Sequence, residues 1–450
     1  MKKVITYGTY DLLHEGHINL LRRAKALGDY LIVGVTNDSF DRERGKLSVR
    51  NNVLERVEAV KATGLADQII IEDYVGQKID DIQKYNVEIF AIGSDWEGKF
   101  DYLNEFCEVV YLPRTEGISS TMLRDQSGVR IEVGVVGCGR IAQKFIPEIS
   151  EVDSVHVKAV YDIDKGASER TARRFGVGIV SESFEELVEC SNAVYIATPH
   201  LCHYAQAKYA LEHGCHVLCE TPLVLQTRQA EELYALAHEN SLVLLEANKT
   251  AYSPAFNRLI SLVKSGLIGD VVGIDASESK LWGKENLKRE LDPEQAGGSM
   301  YEMGSYPLLP IIKLLGIDFK TVNLYSRTDE NGVDIYTRGI MAFDKAIASF
   351  QLGLGVKTEG NLVISGTKGY VYVSSPWWKT DYFELRYEDQ NQNKKYFYKW
   401  EEPGLRYEIQ EFVSCIINKR PYSSRLKPHE SICMAKVMEL FGERRNYLEI

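Results

Sequence analysis

The feature that most constrains the fold is an alternation of short apolar segments with segments of helical periodicity, which occurs twice along the chain. The first series runs from "KKVITYG" to "CEVVYLP", and the second runs from "IEVGVVG" to "LVLLEAN". Apolar strands that alternate with helices predict a parallel sheet that is covered by helices on both faces. The sequence therefore predicts two successive doubly wound units of the α/β class.

The chain changes character at about residue 249. From there, strand-like segments such as "GNLVISGTKGYVYV" and "RGIMAFDKAIASFQLGL" follow one another without helices, which predicts an antiparallel sheet; "RYEIQEFVSCIIN" and "ESICMAKVMELFGERR" are predicted closing helices. We thus expect two Rossmann-like sheets and then an α+β domain with a mainly antiparallel sheet. The predicted boundaries are residues 1–125 for the first domain, 126–130 for a linker, 131–248 for the dinucleotide-binding domain and 249–450 for a substrate-binding or oligomerisation domain.

The composition argues against several classes of partner. The formal net charge of −11 is unfavourable for binding nucleic acid or an anionic membrane. No apolar run approaches the roughly 20 residues that span a bilayer, and the first residues do not form a signal segment. The eight cysteines are scattered, and "GCHVLCE" alternates like a buried strand more than it resembles a zinc site. We therefore expect a cytoplasmic protein without nucleic-acid or membrane partners.

Two histidines in an H-x-G-H pattern follow the first strand, in "YGTYDLLHEGH". His14 and His17 are three residues apart, so they share one face at the start of the next helix. The free backbone N–H groups of a helix N-terminus favour a phosphate, and the small Gly16 lets that phosphate approach closely. After the last strand, "PRTEGISST" offers the guanidinium of Arg114 and the hydroxyls of residues 119–121 to the same ligand. The pattern predicts a nucleotide phosphate site at one edge of the first sheet.

These segments, with "RAKALGDYL" and "GSDWEGKF", resemble the glycerol-3-phosphate cytidylyltransferases of the HxGH nucleotidyltransferase superfamily, from residue 1 to about residue 124. The resemblance implies CTP and a small sugar or polyol phosphate as substrates, with Mg²⁺ bridging the phosphates. The catalytic residues that it implies are His14, His17, Lys46 and Arg114. The CTP-binding residues that it implies are Thr9, Tyr10, Asp11, Gly16, Asp95, Arg114, Thr115, Glu116, Gly117, Ile118, Ser119, Ser120 and Thr121.

The resemblance also places Arg44 and Lys78 near the acceptor phosphate. However, "GKLSVRNNVLER" departs from the family pattern close to this position, so the identity of the acceptor stays open. The residues that would hold the metal are unknown.

The second unit begins with the glycine turn "GVVGCGRIA", which contains Gly137, Gly139 and Ala142. Such a turn binds a dinucleotide when it follows a strand, opens a helix and has an acidic residue about 20 positions further on. All of these conditions hold, since Asp162 ends the next predicted strand. Asp162 favours NAD through the ribose hydroxyls, whereas the neighbouring Lys165 favours a 2′-phosphate, so NAD and NADP both stay open.

Further segments, "AVYIATPHLCH", "GCHVLCETPLVL" and "GGSMYEMGSYPL", resemble the Gfo/Idh/MocA oxidoreductases, from about residue 130 to the C-terminus. The resemblance implies NAD(P) as cofactor. The cofactor-binding residues that it implies are Gly137, Gly139, Arg140, Ile141, Asp162, Thr198, Pro199, His203, Glu220 and Thr221. For His203, a helix-capping role is an equal alternative to a place near the nicotinamide.

One residue of this second family's pattern is missing. The stretch from Glu220 to Pro222 usually contains a catalytic lysine where this chain has Thr221. Tyr306 matches a tyrosine of the dihydrodiol dehydrogenase-like branch and is the predicted catalytic proton donor. Lys249, at the end of a neighbouring strand, either extends into the site or is an ordinary solvated lysine.

Two functions are compatible with these features. The first is a bifunctional enzyme that makes a CDP-activated polyol and also reduces or oxidises the same carbon skeleton with NAD(P), for the synthesis of a cell-surface polymer such as teichoic acid. The second is a cytidylyltransferase whose NAD(P)-binding domain is catalytically silent and serves oligomerisation or regulation. Relatives on both sides predict a homo-oligomer.

Overall fold

The computed structural model describes residues 2–37, 40–41, 51, 53–74, 76–113, 130–281, 289–398, 400 and 403–450. The chain divides into two compact units, Met1–Val129 and Arg130–Ile450. Of the predicted linker at 126–130, only Arg130 is among the described residues. The predicted domain boundaries therefore stay predictions.

The described part of the first unit is built on a five-stranded sheet in the order β3-β2-β1-β4-β5. Its strands are β1 (Lys3–Gly8), β2 (Tyr30–Thr36), β3 (Gln68–Glu72), β4 (Ile89–Gly93) and β5 (Glu108–Leu112), and its helices are α1 (Glu15–Lys25), α2 (Val53–Ala62) and α3 (Gln77–Tyr85). All neighbouring strands pair parallel. The first predicted parallel sheet is thus confirmed.

Helices cover both faces of this sheet because successive strand residues point to opposite sides. On one face, Val4 packs in a core with Leu21 of α1 and Val60 of α2. On the other face, Ile5 packs in a core with Ile82 of α3. The chain order reverses at β1, which lies between β2 and β4, and such a reversal opens a crevice at the carboxyl ends of the strands.

The second unit begins with a six-stranded sheet in the order β11-β10-β9-β6-β7-β8. Its strands are β6 (Ile131–Val136), β7 (Val155–Tyr161), β8 (Ile179–Val180), β9 (Ala193–Ile196), β10 (His216–Glu220) and β11 (Leu244–Ala247). The helices between them are α4 (Ala142–Ile149), α5 (Lys165–Phe175), α6 (Phe184–Glu189), α7 (His200–Glu212) and α8 (Thr227–Glu239). Every pair of strands is parallel, which confirms the second predicted sheet.

A nine-stranded sheet follows, in the order β19-β18-β17-β16-β12-β15-β14-β13-β20. Its strands are β12 (Val271–Lys280), β13 (Thr321–Thr328), β14 (Asp334–Ala342), β15 (Ile347–Leu354), β16 (Leu362–Gly366), β17 (Tyr370–Val373), β18 (Tyr382–Arg386), β19 (Lys394–Phe397) and β20 (Tyr447–Glu449). The accompanying helices are α9 (Lys249–Tyr252), α10 (Pro254–Lys264), α11 (Ser299–Met303), α12 (Ser305–Leu315), α13 (Arg406–Ile417) and α14 (Pro428–Gly442). Among the described strands of this sheet, only the β12–β15 and β13–β20 pairs are parallel, so the mainly antiparallel sheet is confirmed.

The segment "RGIMAFDKAIASFQLGL" forms parts of two strands, β14 and β15. The chain turns back between β14 and β15, where the Phe343 N–H donates to the Ala346 carbonyl. Asp344 and Lys345 form the polar tip of this turn. A two-residue polar break inside an apolar run is typical of a hairpin.

One face of the nine-stranded sheet is covered and the other is open within the described chain. Ile274, Phe350 and Leu352 are buried, whereas Ile347 and Ile340 on the opposite face are 62% and 43% exposed.

None of the described helices has both the length and the apolar character required to cross a lipid bilayer.

Candidate active sites

The H-x-G-H segment forms a tight loop between β1 and α1. Tyr10 and Leu12 both have a left-handed backbone, with φ of 55° and 47°. These two residues turn the chain so that His14 becomes the N-cap of α1, where its Nδ1 accepts a hydrogen bond from the Gly16 N–H at 3.1 Å. The loop lies at the carboxyl end of β1, beside the crevice between β1 and β4.

The two imidazoles share one face of α1, as the spacing predicts. The rings of His14 and His17 are stacked, with their centroids 3.9 Å apart and their planes at 20°. The Tyr10 ring meets His17 edge-on at 5.5 Å. Two imidazoles held side by side at a helix N-terminus are suited to bind an anion, because the rings and the backbone N–H groups of the first turn other than that of Gly16 can donate hydrogen bonds.

A buried ion pair supports this loop from below. Arg56 of α2 and Asp41 are both fully buried, with Nη1 of Arg56 3.0 Å from Oδ2 of Asp41. The same Nη1 donates to the carbonyls of Thr9 and Thr36 at 2.7 Å each, and the Thr9 hydroxyl donates to Asp41 at 2.6 Å. The pair therefore ties the residue after β1 to the last residue of β2. Sequence reasoning missed it, because an arginine inside an amphipathic helix carries no local signal of burial.

Two other predicted residues of this unit are held by protein groups. Asp11 is buried and accepts from the Asn51 N–H at 3.0 Å. Lys78 forms an ion pair with the buried Glu72, and its ammonium lies 4.6 Å from the centroid of the Tyr7 ring. Lys78 thus lies at the carboxyl edge of the sheet, where the predicted acceptor contact requires it, and that contact stays a prediction.

Asp95 follows β4, next to β1 in the sheet, and is exposed in the 3-10 turn Ser94–Trp96. Arg23 of α1 donates to the Pro113 carbonyl, so the end of β5 also lies against α1. The predicted residues that fall outside the described part of the chain are Arg44, Lys46, Arg114, Thr115, Glu116, Gly117, Ile118, Ser119, Ser120 and Thr121.

No cluster of three or more acidic, histidine or cysteine side chains that could hold a metal ion occurs within the described ranges. A magnesium ion bound through nucleotide phosphates does not require such a cluster. Mg²⁺ therefore stays a prediction.

The glycine turn of the second unit has the geometry of a dinucleotide site. Gly137 has φ of 88°, and a Cβ there would lie 2.5 Å from the Ala197 carbonyl oxygen. A Cβ on Gly139 would meet nothing within 4 Å, so that position faces open space. Ala142 is fully buried where α4 packs on the sheet. The turn thus leaves the N-terminus of α4, which Ile141 precedes, open to a pyrophosphate.

Asp162 connects this turn to the end of β7. Its carboxylate accepts from the Cys138 N–H at 2.7 Å and from the Asp164 N–H at 2.9 Å. Lys165 forms an ion pair with Glu182 at 2.7 Å. These residues fit a dinucleotide, and the choice between NAD and NADP stays open. Arg140, on the same turn, lies 3.4 Å from Glu290.

His203 lies beneath two loops that follow β9 and β10. It is fully buried; Nε2 lies 2.9 Å from the Thr198 carbonyl and Nδ1 lies 2.9 Å from the Pro222 carbonyl. Burial, together with nearby His200, lowers the pKa of His203 to about 4. Its contacts are those of a residue that positions the loops, and a contact with the nicotinamide stays a prediction. Pro199 is the N-cap of α7.

Thr221 points into the protein. Its hydroxyl donates to the buried carboxylate of Glu246 at 2.7 Å. The preceding Glu220 accepts from the Tyr195 hydroxyl, and burial raises the pKa of Glu220 to about 7. The position of the missing lysine is therefore occupied by a side chain that stabilises the loop.

Sequence reasoning missed two buried carboxyls near the predicted proton donor Tyr306, those of Glu278 on β12 and Glu408 on α13. Burial raises the pKa of Glu278 to about 7 and that of Glu408 well above its usual range. Tyr306 is partly buried, and burial together with the charge of Glu278 raises its pKa as well. The available signal was a glutamate at a core position of a predicted strand and of a predicted helix.

Glu302 is the acidic residue of the glycine-rich stretch that contains Tyr306. His200 Nε2 lies 2.9 Å from its carboxylate, and Arg289 donates to it at 2.9 Å. Although burial raises the pKa of Glu302, the hydrogen bond and charge of His200 and the charge of Arg289 hold it below its usual value. His200 and Arg289 therefore fix the position of the Glu302 carboxylate.

Comparison with known families now identifies both units. A cytidylyltransferase-like model matches residues 5–126. The model of an oxidoreductase family with an NAD-binding Rossmann fold, GFO/IDH/MocA, matches residues 131–247, and the GFO/IDH/MocA C-terminal domain matches residues 256–372. The chain belongs to both families. The first unit is a nucleotidyltransferase of the cytidylyltransferase type, and the second is an NAD(P)-dependent oxidoreductase.

Individual relatives agree with this division. The glycerol-3-phosphate cytidylyltransferase of Bacillus spizizenii is 52% identical over 124 residues, which cover 28% of this chain and 95% of that protein. For the oxidoreductase unit, the scyllo-inositol 2-dehydrogenase (NADP(+)) of Bacillus subtilis is 26% identical over 317 residues, covering 69% of this chain and 95% of that protein. The trans-1,2-dihydrobenzene-1,2-diol dehydrogenase of Sus scrofa is 30% identical over 251 residues, covering 54% and 74%.

Solved structures show the same fold for the oxidoreductase unit. The 3-ketoreductase KijD10 of Actinomadura kijaniata, in complex with NADP and TDP-benzene, superimposes with a TM-score of 0.64 and 22% identity, covering 71% of this chain and 99% of that one. Levoglucosan dehydrogenase, in complex with NADH and levoglucosan, gives a TM-score of 0.61 at 18% identity, covering 70% and 96%.

Proposed function

We propose that the protein is a bifunctional enzyme that makes a CDP-activated polyol and carries out a hydride transfer on the same carbon skeleton. The cytidylyltransferase unit would join CTP and glycerol 3-phosphate, or another polyol or ketose phosphate, and release pyrophosphate. The oxidoreductase unit would reduce a carbonyl group before or after this activation. The stacked pair of His14 and His17 at the N-terminus of α1 is the observation that carries the first activity. By analogy with the cytidylyltransferase family alone, we also propose that the product feeds the synthesis of a cell-surface polymer.

In the first reaction, an oxygen of the acceptor phosphate attacks the α-phosphorus of CTP in line, and pyrophosphate leaves. Such transfers depend on positioning and charge stabilisation more than on covalent catalysis. His14 and His17 would donate hydrogen bonds to the phosphates, and the loop around Thr9 and Tyr10 would hold the nucleotide. A bound Mg²⁺ would neutralise part of the phosphate charge.

The remaining assignments of this unit are proposals that follow the family pattern. Asp11, Gly16, Asp95 and residues 114–121 would contact CTP, Lys46 and Arg114 would stabilise the phosphates, and Arg44 and Lys78 would contact the acceptor.

In the second reaction, bound NAD(P)H would supply the hydride for the carbonyl carbon, and the carbonyl oxygen would take a proton from the protein. We assign the proton to the hydroxyl of Tyr306, whose raised pKa keeps it protonated. Gly137, Gly139, Arg140 and Ile141 would line the pyrophosphate path, and Asp162 would bind the ribose. Thr198, Pro199, Glu220 and Thr221 would form the walls of the crevice.

One observation favours the second candidate function, a silent oxidoreductase unit that serves oligomerisation or regulation. Thr221 stands where the family has its catalytic lysine, and its hydroxyl is committed to Glu246. Turnover of NAD(P)H, and not its binding, separates the two functions.

We also propose that the protein forms a homo-oligomer through the open face of the nine-stranded sheet. Ile340 and Ile347 are exposed on neighbouring strands of this face, and apolar side chains there would be buried by a second copy. Light scattering coupled to gel filtration would test this, with Ile347→Glu expected to shift the protein towards monomer.

The first experiment is mass spectrometry of the products formed from CTP, Mg²⁺ and a panel of phosphates, with and without NADPH deuterated at C4. The panel contains glycerol 3-phosphate, ribitol 5-phosphate, ribulose 5-phosphate and fructose 6-phosphate. A CDP product that gains deuterium supports the bifunctional enzyme. A CDP product without deuterium, and no reduced free phosphate, favours the silent unit, and the absence of any CDP product overturns the proposal.

The His17→Ala variant and the Gly139→Ala variant serve as matched controls. The first should lose most of the CDP product and keep any reduction, whereas the second should keep the CDP product and slow any reduction at NADPH concentrations below saturation.

A further inference from the structure

Position 221, where the family has its catalytic lysine and this chain has a threonine, lies near another lysine, Lys249, which follows the next strand of the sheet. In the parallel pair β10–β11, Glu220 lies opposite Ala247. Thr221 and Lys249 therefore leave adjacent strands at the same edge of the sheet, within two residues of the strand ends. A side chain that starts at Lys249 can approach the region in front of Thr221 from the side, because neighbouring strands are only about 4.8 Å apart.

The surroundings of Lys249 are those of a site group and not of a solvated lysine. It is partly buried, and burial lowers its pKa. Its ammonium lies 6.0 Å from the centroid of the Trp400 ring. The charged groups around it are the carboxyls of Glu408 and Glu220 and the ammonium groups of two further lysines, Lys379 and Lys280. Within the described part of the chain, no carboxylate forms an ion pair with Lys249 within 4.0 Å.

Some oxygens of the carboxyl groups around Lys249 also lack hydrogen-bond partners among the described residues. Both oxygens of Glu408 and Oε2 of Glu278 are buried without a hydrogen-bond partner among the described residues. The same holds for both side-chain atoms of Asn248, which is fully buried directly before Lys249. Buried polar atoms are nearly always hydrogen-bonded, so this cluster requires a polar ligand or water.

We propose that Lys249 replaces the lysine missing at position 221, so that its ammonium donates a hydrogen bond to the substrate carbonyl oxygen while Glu408 and Glu278 bind hydroxyls on the neighbouring carbons. This inference rests on the proposed reduction. It specifies the substrate as a polyhydroxylated aldehyde or ketone whose carbons next to the carbonyl are uncharged, because the carboxyls would repel a phosphate placed there.

The step balances without a further reactant. The hydride leaves C4 of the nicotinamide and forms a C–H bond at the carbonyl carbon, and the cofactor becomes NAD(P)⁺. The π electrons of the carbonyl move to its oxygen, which the Lys249 ammonium stabilises. The oxygen then takes the hydroxyl proton of Tyr306, and the phenolate regains a proton from water.

Steady-state kinetics of the full-length protein test the role of Lys249. The substrate is the panel compound that the wild type reduces with NADPH. In Lys249→Met, kcat should fall about 100-fold, the typical loss of one donor to a developing oxyanion, with the affinity for NADPH unchanged. The double variant Thr221→Lys/Lys249→Met returns the lysine to the family position. Its kcat should be at least about tenfold higher than that of Lys249→Met. Lys264→Met removes an exposed lysine from the end of α10 and should behave as wild type.

A second measurement does not depend on turnover. Lysines of the wild type and of Lys249→Arg are reductively methylated with ¹³C-formaldehyde and titrated by NMR. The signal absent from Lys249→Arg should titrate at lower pH than those of the exposed lysines. If it titrates with them, or if Lys249→Met keeps the wild-type kcat while binding NADPH normally, the proposal is overturned.

Failure of the proposed reduction is distinguishable from failure of this inference. If the wild type reduces no carbonyl compound, the reductase function is wrong, and the titration alone then decides whether Lys249 is a buried site group. A Lys249→Met variant that does not bind NADPH is replaced by Lys249→Arg, which should keep the charge and show a smaller loss of kcat.

Discussion

The two units each contain a buried cluster of charges, and among the described residues the clusters differ in whether a cationic side chain lies in contact with the buried carboxylate. In the cytidylyltransferase unit, Arg56 binds Asp41 and donates to the carbonyls at the ends of two strands. In the oxidoreductase unit, the carboxyls of Glu408 and Glu278 have buried oxygens without a partner among the described residues. A buried charge is costly unless it is paired and hydrogen-bonded. The comparison indicates that the first cluster is a support for a loop and the second is a place for a ligand.

The largest expected effect is on stability, in Arg56→Met. Removal of the guanidinium leaves the carboxylate of Asp41 buried and uncompensated, which typically costs about 3–5 kcal/mol. Unfolding in urea, followed by near-UV circular dichroism with and without CTP, would measure the free energy of unfolding of the first unit. Arg22→Met, which removes an exposed arginine of α1, is the matched control and should change this value by less than about 0.5 kcal/mol. An equal loss in both variants would contradict the assignment of Arg56 as a buried support.

The next effect is on catalysis, in His17→Ala. The imidazole does not belong to the buried support, so the fold should be kept while kcat for pyrophosphate release falls about 10²–10³-fold, the usual loss of one preorganised donor. Thermal unfolding would verify the fold. Asn19→Ala, on the same helix, should keep its activity within about twofold. A His17→Ala variant with wild-type kcat would remove the histidine pair from the mechanism.

The incompletely bonded cluster predicts a pH dependence of stability. Because the pKa of Glu278 is raised to about 7 in the folded state, the native protein holds a proton that the unfolded chain loses above about pH 4.5. Glu278 therefore makes stability decrease as pH rises from about 4.5 to 7, by an amount on the order of 3 kcal/mol. Glu278→Gln should be more stable than wild type at pH 7 and similar to it at pH 4.5.

Urea unfolding at both pH values would measure this difference, with the exposed Glu388→Gln as control. A difference between wild type and Glu278→Gln that grows towards low pH would have the wrong sign and would falsify the interpretation.

The smallest expected effects are those of alanine substitutions at two glycines of the glycine turn. One glycine is required by the packing of the protein, and the other by the predicted contact with the cofactor. Gly137→Ala places a Cβ 2.5 Å from the Ala197 carbonyl at a left-handed residue, which should cost about 1–3 kcal/mol of stability. Gly139→Ala meets no protein atom within 4 Å, so the stability should be unchanged. Its methyl group instead occupies the predicted pyrophosphate path, and we expect the Kd for NADPH to rise about tenfold, or about 1.4 kcal/mol. Calorimetric unfolding and NADPH fluorescence titration would show whether the two glycines separate in this way.

The sequence was sufficient to predict the two parallel sheets, because their short apolar strands alternate with helices of recognisable periodicity. The pair of His14 and His17 was predictable for the same reason, because three positions along one helix fix their common face. The two buried clusters were not predictable. Arg56 and Asp41 do not share a helix or strand, and neither do Glu408 and Glu278, so no periodicity relates their side chains and only the packed structure brings them together.

Local signals also failed where the chain departs from simple alternation. The tip at Asp344 and Lys345 divides an apolar run into β14 and β15, and the periodicity of the run gave no position for the break. Helix α12 was not predicted, and it contains Pro310, a residue that ordinarily argues against a helix interior. The short strand β20 pairs with β13 across more than a hundred residues of chain, which a local pattern does not indicate.

The contacts of His203 have a consequence for the crevice beneath which it lies. A neutral imidazole carries a single N–H, yet both ring nitrogens of His203 face carbonyl oxygens at 2.9 Å. The tautomer that holds the Thr198 loop leaves a lone pair facing the Pro222 carbonyl, and the other tautomer reverses this. The two loops therefore share one imidazole proton, and the loop whose carbonyl does not receive it depends on its other hydrogen bonds, from Thr221 to Glu246 after β10 or from Thr198 to Gln206 after β9.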